Sequence, residues 1–280
     1  MTDTSWAAEV RSDKWWQDEE PQRAIDILEA LVDTNIDASS AAEQITSMYK
    51  PLVKAEPSSV AIIWGILVRA VRAVGQNEAA AKKLVDFVLH VQNSGDVLDE
   101  AGEQINLNGQ AIWRDLPEFS YHFREYGIYI EDADDYKGDW LEQASQLQNA
   151  TTFAALFLEA SDARHMSFLA SSGLIDGVEL AYARDQAERA AMFIPPAVIW
   201  IKLAGKTLHK LCQDRIARNA TLGVKRPGSE WLWNGGVGFS PERWDFWKRR
   251  FGELAGQAGL DEHLQTLARE AEAKMEEIGG

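Results

Sequence analysis

Two segments of this chain are apolar almost all the way round a helix, and they constrain the fold more than any other feature. The first reads VAIIWGILVRAVRAVG, and the second, which follows Pro195 and Pro196, reads AVIWIKLAGKTLHKLC. A helix without a polar face must be surrounded by other elements, because none of its sides suits solvent. We therefore expect both helices at the centre of a helical array, each burying one tryptophan, Trp64 or Trp200.

The rest of the chain follows the same helical pattern. Apolar residues recur at steps of three and four, and no run alternates apolar and polar residues with enrichment in β-branched types. We predict an all-α protein, a single irregular helical array around two apolar central helices. Residues 1–20 are expected to be a polar N-terminal tail and residues 21–280 the domain. Helices are expected from about residue 177 to 189 and again from Pro195, because proline fits the first turn of a helix.

Composition and charge exclude several classes of partner. The 280 residues include 44 acidic and 28 basic side chains, a formal net charge of −16, which repels the phosphates of nucleic acid. The N-terminus lacks the basic start and the apolar run of a signal peptide. The longest apolar run, Val60–Val68, falls short of the ~20 residues that a membrane span requires. A single cysteine, Cys212, fits a reducing compartment. We expect a cytoplasmic protein that binds neither nucleic acid nor membrane.

The sequence contains no complete metal-binding motif. Asp134, Asp135 and Asp139 spell DDxxxD, the cluster with which all-α terpene cyclases hold magnesium. The second metal motif of that class has a match near Ser39, but there it precedes the first motif instead of following it. Coincidence is the better interpretation, and the acidic run is expected to be solvated surface. None of the five histidines is spaced as a metal pair on one helix turn. We predict no metal and no cofactor.

The best candidate for catalysis is His122, within FSYHFREYG. Tyr121, His122 and Arg124 bring together a phenol, an imidazole and a guanidinium among aromatic neighbours, which are groups that can move a proton or hold a developing charge. His165, within SDARHMSF, is the second candidate histidine and is assigned here to substrate binding. A structural role is the commoner use of either histidine, because one sequence assigns neither of them a base, nucleophile or metal partner.

Aromatic residues concentrate in the segment from Gly223 to Phe251. Trp231 and Trp233 would place both rings on one side of an extended loop, and Ser240 is a candidate N-cap for the helix that follows. The rings either anchor a long loop to the core or form the aromatic wall of a cavity beneath that loop. The second interpretation gives the predicted substrate-binding residues: Trp231, Trp233, Trp64, Trp200, His165 and Trp247.

The segment WLWNGGVGFSPERWDFWKRRF, with the later LAREAEAKMEEI and the upstream PPAVIWIKLAGKTL, resembles a large family of fungal proteins catalogued only as a domain of unknown function. ERWDFWKRRF is the most specific part, and the resemblance extends from about Gln22 onward. Membership implies a soluble, intracellular, helical protein of fungal origin. By analogy it also suggests a place in a pathway for secondary metabolites. The family carries no activity, so no catalytic residues are transferred from it.

Two functions follow as expectations. The first is binding of an apolar small molecule in an aromatic-lined cavity, with a cofactor-free cyclisation or isomerisation, such as a pericyclic ring closure, as the concrete form of catalysis. The second is a helical interaction module that holds a protein partner, or a second copy of the chain, through exposed tryptophans and charged surface. An enclosed pocket lined by Trp231, Trp233 and Tyr121 would favour the first, and exposed rings would favour the second. A magnesium-dependent cyclase would require the three aspartates to face an interior cavity.

Overall fold

The computed structural model describes residues 6–33, 35–74, 77–128, 140–161, 166–182, 187–216 and 231–279. The predicted all-α fold is confirmed, since these residues are helical apart from loops and short β-pairings. The chain divides into two compact units, Met1–Tyr129 and Ile130–Gly280. The two apolar helices, which we expected to share one array, therefore lie in different units.

Unit 1 is built around its apolar helix. Its elements are α1 (Trp6–Ser12), α2 (Glu19–Val32), α3 (Ala38–Ala55), α4 (Val60–Ala73), α5 (Glu78–Gln92), β1 (Asn106–Leu107), β2 (Gln110–Ala111), α6 (Phe119–His122) and a first π-helix (Phe123–Ile128). Helix α4 contacts α1, α2, α5, α6 and the first π-helix, as a helix without a polar face requires. Its Trp64 is fully buried.

The N-terminal residues that the structure describes are helical, although we expected a polar tail there. Helix α1 buries Ala7 and Val10 and contacts α2 and α4. The ring of Trp16 lies so close to Gly65 of α4 that a Cβ added to that glycine would come within 2.8 Å of it. These apolar contacts, made by few residues, outweigh the polar composition of the segment.

A small hairpin interrupts the helices of unit 1, where the sequence analysis expected no strand. Strands β1 and β2 are antiparallel, with Asn106 opposite Ala111 and Leu107 opposite Gln110. Asn108 and Gly109 form the turn, and both have positive φ, 54° and 79°. Asn-Gly is the preferred dipeptide of a type I′ turn, which requires positive φ at both central positions. This dipeptide was the available signal for the hairpin.

Unit 2 is built around the other apolar helix. Its elements are α7 (Trp140–Ala160), α8 (Ser167–Leu174), a second π-helix (Ile175–Glu179), α9 (Ala187–Gln213), α10 (Pro241–Ala255) and α11 (Glu262–Gly279). Helix α9 packs mainly against α7 and α11 and also contacts α8, α10 and the second π-helix. By length and composition it could cross a membrane, but 67% of its most apolar stretch is buried inside the protein. Such burial is typical of a core helix.

Two predicted helix boundaries in unit 2 are wrong. Residues 177 to 189 do not form one helix, because the second π-helix ends at Glu179 and Leu180 is extended and paired with Trp231. Helix α9 begins at Ala187 and continues through Pro195 and Pro196. Residues 192–198 are all buried, and this packing stabilises a helix that proline alone would end.

Gly177 allows the second π-helix to pack closely on α9. A Cβ added to Gly177 would lie 2.4 Å from Cβ of Ala197 and 2.7 Å from the carbonyl oxygen of Phe193. Neither atom belongs to a flexible side-chain end, so the backbones would have to separate.

We expect Gly177→Ala to lower the free energy of unfolding by about 1–3 kcal/mol, the usual cost of overpacking a core. Gly256→Ala is the matched control, because its nearest neighbours would be 4.0 Å away, and its effect should stay within about 0.5 kcal/mol. Urea unfolding followed by circular dichroism measures both. Equal midpoints for the two variants would show that the contact at Gly177 is loose.

Candidate functional site

The candidate catalytic residues of unit 1 follow a turn fixed by Trp64. The indole Nε1 of Trp64 donates to the carbonyl oxygen of Pro117 at 2.8 Å, inside the core. The residues on either side of that proline, Leu116 and Glu118, have φ of 47° and 63°. Left-handed backbone costs a residue with a Cβ about 1–2 kcal/mol, and such strain often marks functional segments. The ring of Phe119 packs edge-on to Trp64, 5.2 Å between centroids.

The chain after this turn is wound as α6 and then as the first π-helix. A π-helix bonds residue i to residue i+5 and occurs mostly as single turns, frequently at functional sites. Here the ring centroid of His122 lies 5.8 Å from that of Tyr121 and 5.5 Å from that of Tyr126. Arg72 of α4 donates to the carbonyl oxygen of Tyr126 at 3.0 Å. The winding therefore gathers three rings into one patch.

We call Tyr121, His122, Arg124 and Tyr126 the Tyr121 cluster. Tyr121 and Tyr126 are 48% and 52% exposed, so both phenol rings are accessible. The guanidinium of Arg124 lies over the Tyr121 ring at 5.5 Å and donates to the Glu125 carboxylate at 2.6 Å. The structure thus brings all three predicted catalytic residues together and adds Tyr126, which the sequence analysis did not single out.

His122 has the most unusual environment of the four. Its Nδ1 is buried and has no hydrogen-bond partner among the residues that the structure describes. Burial lowers the pKa of the imidazole below its ordinary value, and the nearby Glu118 carboxylate acts in the opposite direction. The ring is therefore neutral at pH 7, and a neutral imidazole can both accept and donate a proton.

The buried tryptophans of unit 2 contact the protein's own groups. Trp247 is fully buried, and its Nε1 donates to the Glu179 carboxylate at 2.6 Å. Trp200 is 1% exposed. Its ring packs closely on Gly173, since a Cβ added to that glycine would lie 2.7 Å from the indole Nε1. Like Trp64 in unit 1, both fill the core of their unit.

A buried ion pair that the sequence analysis missed lies beside Trp247. Arg243 donates through Nε and Nη2 to the two carboxylate oxygens of Glu179, at 2.6 and 2.8 Å. Glu179 is completely inaccessible and Arg243 is 4% exposed. The only sequence signal was a single acid between Val178 and Leu180 in an apolar run. Its partner lies 64 residues further on, beyond the reach of any local pattern.

The same ion pair fastens the segment that carries Trp231 and Trp233. Nη1 of Arg243 donates to the carbonyl oxygen of Gly238 at 2.9 Å, and the backbone N–H of Leu232 donates to that of Glu179 at 2.9 Å. The Trp233 ring lies 5.2 Å from that of Phe246 on α10. Residues 231–239 are therefore tied down at both ends. The Nε1 of Trp231 is buried and lacks a hydrogen-bond partner within the described part of the chain.

The structure does not place the remaining predicted positions in the Tyr121 cluster or at the Glu179–Arg243 pair. His165 and the three aspartates, Asp134, Asp135 and Asp139, lie outside the described residues. Within the ranges that the structure describes, no group of three or more His, Cys, Asp or Glu side chains could hold a metal ion. Cys212 is buried, and burial raises the pKa of its thiol to about 12. It is a core residue and not a nucleophile.

A family model described as "Protein of unknown function (DUF3632)" matches residues 64–251. This match covers both units and includes Trp64, the Tyr121 cluster and the Glu179–Arg243 pair. It confirms the resemblance to a domain of unknown function, although it begins at residue 64 and not near residue 22. No curated protein and no solved structure matches the chain.

The buried ion pair gives a direct prediction. Arg243→Met leaves the Glu179 carboxylate buried and uncompensated, and removal of one partner of such a pair costs about 3–5 kcal/mol. Lys248→Met on the same helix is the control, because its exposed pair with Glu276 should contribute about 0–1 kcal/mol. The double variant Glu179→Gln/Arg243→Met should recover part of the loss. Urea unfolding measures all three. An Arg243→Met variant as stable as Lys248→Met would contradict this account.

His122 predicts a pH dependence of stability. Its pKa is lowered in the folded state, so the unfolded chain binds the proton more tightly and protonation favours unfolding. Stability should therefore be intact above the unfolded value, about 6.5, and should fall as the pH drops from there toward the folded pKa. His122→Gln should lose less stability than wild type between pH 7.5 and pH 5. His263→Gln, on an exposed position of α11, controls for other groups. Equal losses in wild type and His122→Gln would refute the prediction.

Proposed function

This chain belongs to the DUF3632 family, and because that description carries no activity, we propose a function from the geometry alone. We propose that the protein binds an apolar small molecule at the Tyr121 cluster. The observation that supports this most is the combination of a neutral histidine, whose Nδ1 is buried and unpartnered, with two half-exposed tyrosines in contact with its ring.

Each part of the cluster has a use in binding. The exposed phenol rings offer flat apolar surface with a hydroxyl at the edge, which suits a ring-bearing molecule that also carries a polar group. The imidazole provides one hydrogen bond to that polar group in its neutral state. A neutral imidazole and a guanidinium beside an accessible surface are also the groups that proton transfer without a cofactor uses. Cofactor-free cyclisation or isomerisation, with a pericyclic ring closure as one form, is the reaction type that we propose.

The tryptophans take a supporting part in this proposal. Trp64 holds the turn at Pro117 from which the cluster projects, while Trp200 and Trp247 fill unit 2. The proposed ligand therefore contacts the tyrosine and histidine side chains of the cluster. A cytoplasmic location is consistent with the buried, unreactive Cys212, and it is proposed on that basis.

A second candidate function is a helical interaction module. Its supporting observation is the exposure of large apolar side chains, namely Trp15 at 72%, Val237 at 65% and the two tyrosines of the cluster. Tyrosine, tryptophan and arginine carry most of the binding energy in protein interfaces. A protein partner or a second copy of the chain could bind such residues.

A dye titration tests the first proposal. Nile red, a neutral apolar fluorophore, should bind wild type and bind Tyr121→Ala/Tyr126→Ala about tenfold more weakly, because two ring contacts are lost. Trp15→Ala removes a more exposed ring elsewhere in unit 1 and is the control for loss of surface aromatic area. Equal affinities for wild type and the double variant would exclude the cluster as the binding surface.

Native mass spectrometry separates the two functions. Protein purified from its own host should carry a small molecule that the Tyr121→Ala/Tyr126→Ala variant lacks. A co-purifying protein, or a dimer that the same variant abolishes, would replace the first proposal with the second.

A further inference from the structure

The two ring nitrogens of His122 lie in different surroundings. Nδ1 is buried and has no hydrogen-bond partner among the described residues. Nε2 has no partner in that part of the chain either, but it is not enclosed, so solvent or a ligand can reach it. A ligand that forms a hydrogen bond with this ring therefore does so through Nε2.

This difference decides which nitrogen carries the proton of the neutral ring. A neutral imidazole has a proton on one nitrogen and a lone pair on the other. In protein interiors an N–H without an acceptor is rarer than an acceptor without a donor, and the described residues offer Nδ1 no acceptor. Burial lowers the pKa of the ring, and the Glu118 carboxylate opposes this by its charge alone, without a hydrogen bond to the ring. The proton therefore lies on Nε2, where water or a ligand can accept the hydrogen bond.

Two phenol rings flank this donor. The centroid of the His122 ring lies 5.8 Å from that of Tyr121 and 5.5 Å from that of Tyr126. Both tyrosines are about half exposed, so a flat molecule that packs on either phenol lies next to the imidazole. Such a molecule can combine ring contacts with one hydrogen bond from Nε2–H.

The charges around the cluster favour a neutral ligand. The guanidinium of Arg124 is paired with the Glu125 carboxylate at 2.6 Å, so the positive charge of this arginine is already compensated. The Glu118 carboxylate adds a negative charge near the imidazole. An anion would compete with Glu125 and be repelled by Glu118, whereas a carbonyl oxygen accepts a hydrogen bond from a neutral N–H without either cost.

We infer that the ligand of the Tyr121 cluster is a neutral carbonyl compound with a flat ring, such as an aryl ketone, and that its carbonyl oxygen accepts a hydrogen bond from Nε2–H of His122. This inference rests on the proposed function, because it names the ligand class of the same site. A neutral imidazole that donates to a carbonyl oxygen polarises the C=O bond and stabilises charge that develops on that oxygen. His122 is the donor in this contact and not the acceptor.

Three bicyclic probes of nearly the same shape test the inference. The carbonyl of 1-indanone only accepts a hydrogen bond, the N–H of indole only donates one, and indane does neither. His122→Phe keeps a ring beside the two phenols and lacks both nitrogens. It should bind 1-indanone about three- to tenfold more weakly than wild type, which is the usual effect of losing one hydrogen bond, and should bind indole and indane as wild type does. Ligand-observed NMR titrations at pH 7.5 measure the dissociation constants.

The tyrosine variant separates failure of this inference from failure of the proposed function. Tyr121→Ala/Tyr126→Ala should weaken the binding of all three probes, because both ring contacts are lost. If it does so, but His122→Phe weakens indole, all three probes equally or none of them, the binding surface stands and the carbonyl assignment is overturned. If the tyrosine variant weakens no probe, the proposed function fails and this inference fails with it.

The wild-type protein provides an independent measurement. In a two-bond ¹H–¹⁵N correlation spectrum of histidine-labelled protein, the couplings show which nitrogen of each imidazole carries the proton. The His122 signals, assigned through their contacts with the ring protons of Tyr121 and Tyr126, should place the proton on Nε2 at pH 7.5. A proton on Nδ1 would overturn the inference even if His122→Phe failed to fold.

Discussion

The ion pair between Glu179 and Arg243 is the interaction on which most of unit 2 depends. The carboxylate accepts two hydrogen bonds from Arg243 and one from Trp247, and the backbone carbonyl of the same glutamate accepts one from Leu232. A single residue therefore joins the second π-helix, α10 and the segment that carries Trp231. Charges taken fully out of water are tolerated only where their hydrogen bonds are complete, so these elements can pack in this arrangement and not in a shifted one.

In both units an arginine stabilises a π-turn in the same way. A π-turn is a rare winding of the helical backbone, and in each unit an arginine from a neighbouring helix donates to a carbonyl of the π-turn. Arg72 of α4 binds the carbonyl oxygen of Tyr126, and Arg250 of α10 binds that of Val178. These contacts allow a winding that local propensity would not select. In unit 1 the π-turn carries Tyr126, whose ring lies beside that of His122, and in unit 2 it carries Glu179, which is paired with Arg243. The candidate functional groups therefore lie on or next to π-turns that tertiary contacts hold in place.

Because these windings depend on tertiary contacts, only part of the structure could be predicted from the sequence. Apolar periodicity and capping predicted the helices well: the first apolar segment forms α4, and the side chain of Ser240 accepts from the N–H of Arg243 to cap α10. Local chemistry also singled out Tyr121, His122 and Arg124, because they are adjacent in the chain. What failed was set by contacts distant in sequence. Burial carries α9 through two prolines, and pairing with Trp231 keeps Leu180 extended. The Glu179–Arg243 pair, which no periodicity encodes, belongs to the same class. The hairpin at Asn108 is different, since its turn signal was local and was overlooked.

The indole N–H groups divide the tryptophans into those that donate to an acceptor in the protein and those that do not. Trp64, Trp233 and Trp247 each donate to an acceptor within the protein, namely the carbonyls of Pro117 and Gly236 and the Glu179 carboxylate. A tryptophan that anchors a core or a loop usually has an acceptor for its N–H, because the fold provides the acceptor together with the space for the ring. Trp231 is anchored through its backbone and still leaves its N–H buried without a partner. Among the described residues Trp16 does so too, although its ring packs closely on Gly65 of α4. A tryptophan ring can therefore be held by its backbone or by its apolar contacts while its N–H has no acceptor.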